Sequence, residues 1–431
     1  MSIVDFRSVV EDQERERTAF FASERVVERE VGREYALNSL KYPNALAVLG
    51  VRRCGKSVYS WLLLRDRKHG YLNFDDERLY GVRADELNVA LRALYERFGT
   101  DLEYIILDEI QNIAGWELFV NRLRRTKKVV VTGSNSKLLS GELADRLTGR
   151  HVDITLFPFS YREFLTQKGV RLEELRADQY ATDTVTTAQK MVEEYLLNGG
   201  FPEVGKFGRE ILRTIFKDIV TKDVVRRHNI RNVSALEALA RYMTSNFSRE
   251  ISYNKLRSVF ELKKLATIRN YTGYLQDAFL LLILERFSFG MKQRFIAPKK
   301  VYCIDTGIVN MVSQRASEDR GALMENAVAI ELARRKSYRS DNTELCYWKD
   351  HQQREVDFVV KSGQRVTQLI QVCYDPTDLR TKDREVKSVL KASQALDCKS
   401  PLVITLDYEE ELRQDGQAIA FKPLWKWLLG L

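Results

Sequence analysis

The stretch Gly50-Val51-Arg52-Arg53-Cys54-Gly55-Lys56-Ser57 constrains the fold more than any other part of the chain. It reads G-x-x-x-x-G-K-S and sits between an apolar run, Ala45 to Leu49, and a helical stretch, Ser57 to Lys68. Two glycines let the backbone turn tightly and aim its N–H groups at an anion. The start of a helix adds free N–H groups and the positive end of its dipole. Strand, glycine-rich loop and helix in this order predict a phosphate-binding loop running from Gly50 to Val58. Lys56 would reach the β- and γ-phosphates of a nucleotide, and the Ser57 hydroxyl would ligate Mg²⁺. A second apolar run, Tyr104 to Leu107, ends in Asp108 and Glu109. Asp108, at a strand end, is placed to hold the Mg²⁺, and Glu109 to polarise an attacking water.

At 431 residues the chain exceeds one hydrophobic core, so about two to four domains are expected. No apolar run approaches the roughly 18 residues that span a membrane. The charged stretch Met1 to Arg33 lacks a signal-peptide core, so the expected location is cytoplasmic. The five cysteines are scattered without a C-x-x-C pair, and the four histidines are isolated, so neither disulfides nor zinc is expected. A net charge of +9 favours contact with a polyanion such as DNA, although spread-out surface charge fits equally well.

Along the chain, residues 1–33 read as an amphipathic helical segment that packs on the next domain. Residues 34–160 alternate strands and helices, which predicts a parallel sheet with helices on both faces and its ligands at the carboxyl strand ends. Gly50, Asp75, Asp108 and Gly133 should converge there. After the strand Val129 to Thr132, Ser134 and Asn135 could hydrogen-bond the γ-phosphate or the water, or cap the following helix. Arg150 or Arg146 could supply charge to phosphates in a neighbouring subunit, or be surface arginines. Residues 161–227 read as a helical lid, with a long helix from about Arg209 to Arg227. Residues 228–310 read as a helix-turn-helix with a two-strand wing, and Arg257, Lys263, Lys264, Arg269, Lys292, Arg294, Lys299 and Lys300 form its basic side. In a DNA-binding version the second helix, Ile268 to Ala278, enters the major groove. Packing within an ATPase is the other reading. Residues 311–431 form an α/β tail.

The assembly resembles a family of prokaryotic AAA-type P-loop ATPases with a winged helix and a restriction-endonuclease-like C-terminal domain. The motifs that carry it are the loop itself, Leu107-Asp108-Glu109-Ile110-Gln111, Thr132-Gly133-Ser134-Asn135-Ser136, Thr148-Gly149-Arg150, and Phe157-Pro158-Phe159-Ser160 through Phe164. Further motifs are Lys300 through Gly307 and Glu355-Val356-Asp357-Phe358. The resemblance implies ATP with Mg²⁺, an α/β fold and a homo-oligomer, with rings among the possible assemblies. No N-K-x-D motif reads guanine in the ATPase domain, so the preference for ATP rests on the resemblance. In the tail, Glu325 and Asp357 match the acids of a nuclease core. Gln371 stands where a third acid is expected, and Cys373 where a lysine is expected, which argues against cleavage. Lys361 or Lys387 would have to substitute. The expected function is an ATP-driven motor or switch acting on DNA. The alternatives are a slow switch that recruits a protein partner and an ATP-dependent nuclease.

Overall fold

The uncharged apolar runs become the centre of a parallel sheet. The computed structural model describes residues 5–139, 150–262, 264–288, 290–313, 319–339 and 343–431. It divides into two compact units, residues 1–157 with 277–279, and residues 158–276 with 280–431.

The first unit holds strands β1 (Ala45–Gly50), β2 (His69–Asn73), β3 (Tyr104–Asp108), β4 (Lys128–Gly133) and β5 (His151–Leu156). Their order is β2-β3-β4-β1-β5, and every neighbouring pair is parallel. β1 and β3 are buried at every residue, as strands covered on both faces must be. Leu49 lies opposite Gly133, and Asn73 opposite Asp108. The loop after β1, the acids ending β3 and the end of β4 therefore share one edge.

The leading helix α1 (Phe6–Ser23) is shorter than the sequence suggests, and the chain from residue 24 to 32 is not helical. It buries Phe6, Val9, Val10 and Gln13. The Gln13 amide donates to the Asn73 carbonyl at 3.1 Å and accepts the Asn73 N–H at 2.8 Å. This satisfies backbone groups on the edge strand β2, which would otherwise offer a pairing surface. The phosphate loop opens onto α2 (Lys56–Leu63), and α3 (Leu87–Phe98) and α4 (Trp116–Leu123) complete the crossovers.

The second unit is built on nine strands: β6 (Arg249–Ile251), β7 (Leu281–Arg286), β8 (Lys299–Cys303), β9 (Thr343–Lys349), β10 (Glu355–Ser362), β11 (Arg365–Val372), β12 (Pro401–Thr405), β13 (Glu410–Gln414) and β14 (Gln417–Pro423). They form one sheet in the order β13-β14-β12-β11-β10-β9-β7-β8-β6. The sheet runs across the boundary expected at residue 310. Glu285 of β7 lies opposite Cys346 of β9 in a parallel pair, so strands from both expected domains share a ladder. Backbone groups left open on the edge of β7 find partners in the next available strand.

The helices expected as a lid also belong to this unit. α5 (Tyr161–Gln167) and α6 (Thr182–Asn198) contribute Tyr161, Phe164, Val192 and Tyr195 to a core that includes Met324, Val328 and Trp425. The segment expected as one long helix runs from Ile211 to Asp218 and then continues as a π-helix from Ile219 to Arg226. Between residues 228 and 305 come α7 (Val233–Ser245), β6, α8 (Tyr253–Val259), α9 (Leu265–Asp277), β7, a short helix at Met291–Ile296, and β8. α9 starts three residues earlier than the sequence suggests. The tail adds α10 (Arg320–Arg339), α11 (Leu379–Leu396) and α12 (Leu424–Leu429). Side-chain alternation covers both sheet faces. Phe358, Ile370 and Ile404 enter one core, while Val359, Leu369 and Val403 enter the other. The hairpin β13–β14 and α12 were not foreseen. Asp415 and Gly416 turn that hairpin with φ of 51° and 75°, the conformation a two-residue Asp-Gly turn favours.

Candidate nucleotide-binding site

The loop between β1 and α2 has the backbone its glycines permit. A Cβ on Gly50 would lie 2.2 Å from the Leu156 carbonyl oxygen of β5, so no side chain fits there. Gly55 has φ of +95° and Arg53 of +65°, both in the left-handed region. Inside the turn, the Cys54 thiol donates to the same Leu156 carbonyl at 3.3 Å. Burial pushes this thiol up, so it packs and does not act as a nucleophile. All five cysteines are buried and free.

Lys56 is buried, and its ammonium donates to the Val51 carbonyl at 3.2 Å and lies 3.5 Å from Glu109. Arg52 lies 3.7 Å from Asp75, which places Asp75 at the same edge as expected. Arg29, from the stretch after α1, donates to the Cys54 carbonyl at 2.9 Å and to the Phe157 carbonyl at 2.6 Å. It thereby ties the loop to the end of β5. Nothing in the charged sequence around Arg29 distinguishes it from its neighbours.

The acids are held by hydroxyls. Asp108 is 1% exposed. It accepts hydrogen bonds from the Tyr71 hydroxyl at 2.7 Å, from the Thr132 hydroxyl and from the Ser57 hydroxyl. Burial first, and the neighbouring Glu109 charge second, raise its pKa. Glu109 sits at φ of +50°, and its N–H donates to the Thr132 hydroxyl at 2.9 Å. A non-glycine residue held in this region is the kind of local strain that clusters at working sites. The Gln111 amide donates to the Glu109 carboxylate. Thr132 thus fixes both acids at once. Its signal in the sequence was a single polar residue closing the run Val129 to Val131.

Ser134 and Asn135 are buried just beyond β4. The Asn135 side-chain oxygen accepts the Lys137 N–H at 2.7 Å, the capping geometry that was one of its two expected roles. Arg150 lies elsewhere. Its carbonyl accepts the Ala45 N–H at 3.2 Å, at the amino end of β1, whereas the loop follows the carboxyl end. Arg146, Thr148, Gly149 and Lys263 lie outside the described residues.

In the second unit, Glu325 and Asp357 do come together, on α10 and β10. The lysine that reaches them is Lys300 of β8, at 2.9 Å and 2.8 Å. Lys361 pairs instead with Glu344 at 3.3 Å, and Lys387 with Asp383 at 2.5 Å. Gln371 accepts the Asp357 N–H at 3.1 Å and donates to Glu385 at 2.9 Å. Cys373 is buried and its thiol is pushed up to about 11. The expected basic side is reduced accordingly. Lys299 and Lys300 are buried in ion pairs, and Arg294 pairs with Glu285 at 2.6 Å, whereas Arg257, Lys264, Arg269 and Lys292 are exposed.

A parallel sheet in this order, with this loop and this pair of acids at its carboxyl edge, defines an AAA-like P-loop ATPase domain, and residues 42–165 match the family described as an AAA domain. The chain belongs to the same family as the uncharacterized protein MJ1544 of Methanocaldococcus jannaschii, with which it is 34% identical over 411 residues, or 90% of this chain and 89% of that protein. An uncharacterized protein of Haemophilus influenzae is 27% identical over 88% of this chain and 93% of its own length. Residues 189–319 and 320–425 match two families described as domains of unknown function, DUF8612 and DUF4143. Among solved structures, the Walker-type ATPase PABY2304 of Pyrococcus abyssi covers 67% of this chain and 98% of its own, at 14% identity and a TM-score of 0.44. No helix among the described residues is long and apolar enough to cross a membrane.

Proposed function

We propose that the chain is an Mg²⁺-dependent ATP hydrolase that works as a motor or switch on DNA. The observation that carries this reading is the shared anchoring of Asp108 and Glu109 by Thr132, with Ser57 on Asp108 and Lys56 3.5 Å from Glu109. The donor set fits magnesium. Asp108 is a buried carboxylate held among the described residues by hydroxyl donors, and Ser57 adds a second hard oxygen beside it. Bound there, the ion supplies positive charge to the β- and γ-phosphates.

The remaining work falls to the chain itself. The N–H groups from Val51 to Val58 cradle the phosphates, and Lys56 exchanges its contact with Glu109 for phosphate oxygens. Glu109 is then released to orient a water and accept its proton as the new bond to the γ-phosphorus forms and the bond from that phosphorus to the β–γ bridging oxygen breaks, with ADP leaving. Gln111 and Thr132 hold Glu109 in place during that step. Ser134 or Asn135, beyond β4, senses the γ-phosphate. Arg150 or Arg146 would supply charge to another copy's phosphates in a homo-oligomer.

For DNA, the two helices α8 and α9, followed by the antiparallel strands β7 and β8 with a short helix, Met291–Ile296, between them, support a winged-helix reading. The exposed Arg257, Lys264 and Arg269 supply a face for the groove and its phosphates. The test is phosphate release from MgATP with and without single-stranded, duplex and branched DNA, beside a Glu109→Gln control. Stimulation by one DNA form, lost in the control, supports the reading. A second reading, a switch that recruits a protein, is favoured by the burial of Lys299 and Lys300, which removes two of the expected phosphate contacts. Slow turnover indifferent to every DNA form would select it.

A further inference from the structure

The carboxylates of the second unit face one another across an occupied centre. Glu325 enters from α10, and Glu355 and Asp357 from β10, and all three converge on the ammonium of Lys300 at 2.9, 2.5 and 2.8 Å. The Lys300 side chain is 3% exposed. Further donors reach two of the carboxylates. The Tyr302 hydroxyl donates to Glu325 at 2.7 Å, on the oxygen that Lys300 also contacts, and the Val372 N–H donates to the second oxygen of Asp357 at 3.0 Å. Lys349 lies 3.2 Å from Glu355. The Gln371 side-chain oxygen is taken as well, accepting the Asp357 N–H. Carboxylates this close and this buried are stabilised by a cation, because burial penalises each unpaired charge. A divalent metal is one solution, and a lysine delivered from the neighbouring strand is another.

We propose that Lys300 is the permanent cation of this cluster, filling by its ammonium the place a divalent metal would take, so that the second unit carries a structural charge cluster and not a hydrolytic metal centre. The placement of Lys300 gives the cluster its job. β8 comes from the segment expected as a winged helix, whereas β10 and α10 come from the tail. The ion pairs therefore fasten the two halves of the nine-stranded sheet beside the short β7–β9 pairing, which has two residues in register on each strand.

The test uses the full-length protein without nucleotide. Mn²⁺ binding is followed by electron paramagnetic resonance and calorimetry in the natural chain, in Asp357→Asn and in Lys300→Met. Melting curves are recorded with and without millimolar Mn²⁺ and Ca²⁺, together with metal-dependent DNA cleavage. The expected result is Mn²⁺ uptake that Asp357→Asn does not change, no cleavage, and a melting temperature lowered on the order of 10 °C in Lys300→Met. A double variant, Lys300→Met with Asp357→Asn, should melt closer to the natural chain than Lys300→Met alone, because it removes a stranded charge together with its partner. A Mn²⁺ site in the natural chain that Asp357→Asn abolishes would overturn the proposal. So would a Lys300→Met protein that melts like the natural one. If Lys300→Met does not accumulate in folded form, the Mn²⁺ comparison between the natural chain and Asp357→Asn decides alone.

Discussion

Lys56 in the first unit and Lys300 in the second are both buried beside carboxylates, and the two are built for opposite ends. At the phosphate loop, Lys56 is 3.5 Å from Glu109 and donates to a backbone carbonyl. Its partners lie on a glycine-shaped loop and at the ends of strands, and nearby N–H groups belong to the start of a helix. Such donors can be turned over to an anion. In the second unit, Lys300 is within 2.9 Å of three carboxylates. Its partners lie on a strand and a long helix, and a hydroxyl, a backbone N–H and the Lys349 ammonium add further donors to them. The difference teaches that the same residue types become a binding site or a rivet depending on the backbone that presents them. A loose ion pair at a helix start can exchange partners, whereas a saturated one inside a sheet cannot without exposing buried charge.

The sharpest break of this comparison is at the loop. Lys56→Ala should lower ATP turnover by about 10²–10³-fold, read as phosphate release, while leaving the melting curve of the second unit unchanged. Glu109→Gln should lower turnover by about 10²–10⁴-fold while nucleotide still binds, as equilibrium binding of a fluorescent ATP analogue would report. A variant that loses binding as fully as Lys56→Ala would move Glu109 from water activation to loop structure. Next in size is the backbone itself. Gly50→Ala places a Cβ 2.2 Å from the Leu156 carbonyl and should destabilise the first unit by about 1–3 kcal/mol in chemical denaturation. An unchanged midpoint would show that β5 gives way.

On the DNA side, replacing Arg257 and Arg269 together by Ala should reduce the slope of log affinity against log salt by about two, measured by fluorescence anisotropy. An unaltered slope would place the contact elsewhere. The smallest effect is a pH dependence in the second unit. The carboxyl of Glu325 is pushed up to about 8 from its ordinary 4.5, by burial first and by Asp357 second, against the opposing pull of Lys300 and Tyr302. Glu355 and Lys300 complete the set of charges around it. The folded chain therefore keeps a proton that the unfolded chain has released. This contribution to stability is full below about 4.5 and is lost as the pH rises toward about 8. Glu325→Gln should flatten that part of the melting-temperature profile, and an unchanged profile would show that the carboxyl is already ionised in the fold.

Much of the first unit could be read in advance, because its signals are local. Glycine at fixed positions, an apolar run before it and an acid pair after another run each impose a backbone on their own neighbourhood. Ser57, Asp108, Glu109, Lys56 and Asp75 accordingly lie where the spacing put them. The residues that were missed act across strands. Tyr71 and Thr132 reach Asp108 through parallel registers, and Arg29 reaches the loop from a stretch with no pattern of its own. In the second unit the acids Glu325 and Asp357 were legible as types. Their cation was sought at Lys361 and Lys387, on nearby elements of the tail, and came from Lys300.

The sequence by itself determined the phosphate loop, the acids that serve it and the identity of most strands, since these follow from steric freedom at glycine and from side-chain periodicity. Only the tertiary structure decided that the lid helices, the helix-turn-helix segment and the tail form one unit, that Thr132 governs both acids, and that Lys300 fills the second cluster. Strand neighbours and buried charge partners are chosen by closing every backbone and ionic valence in space, and residues far apart in the chain compete for those places on equal terms.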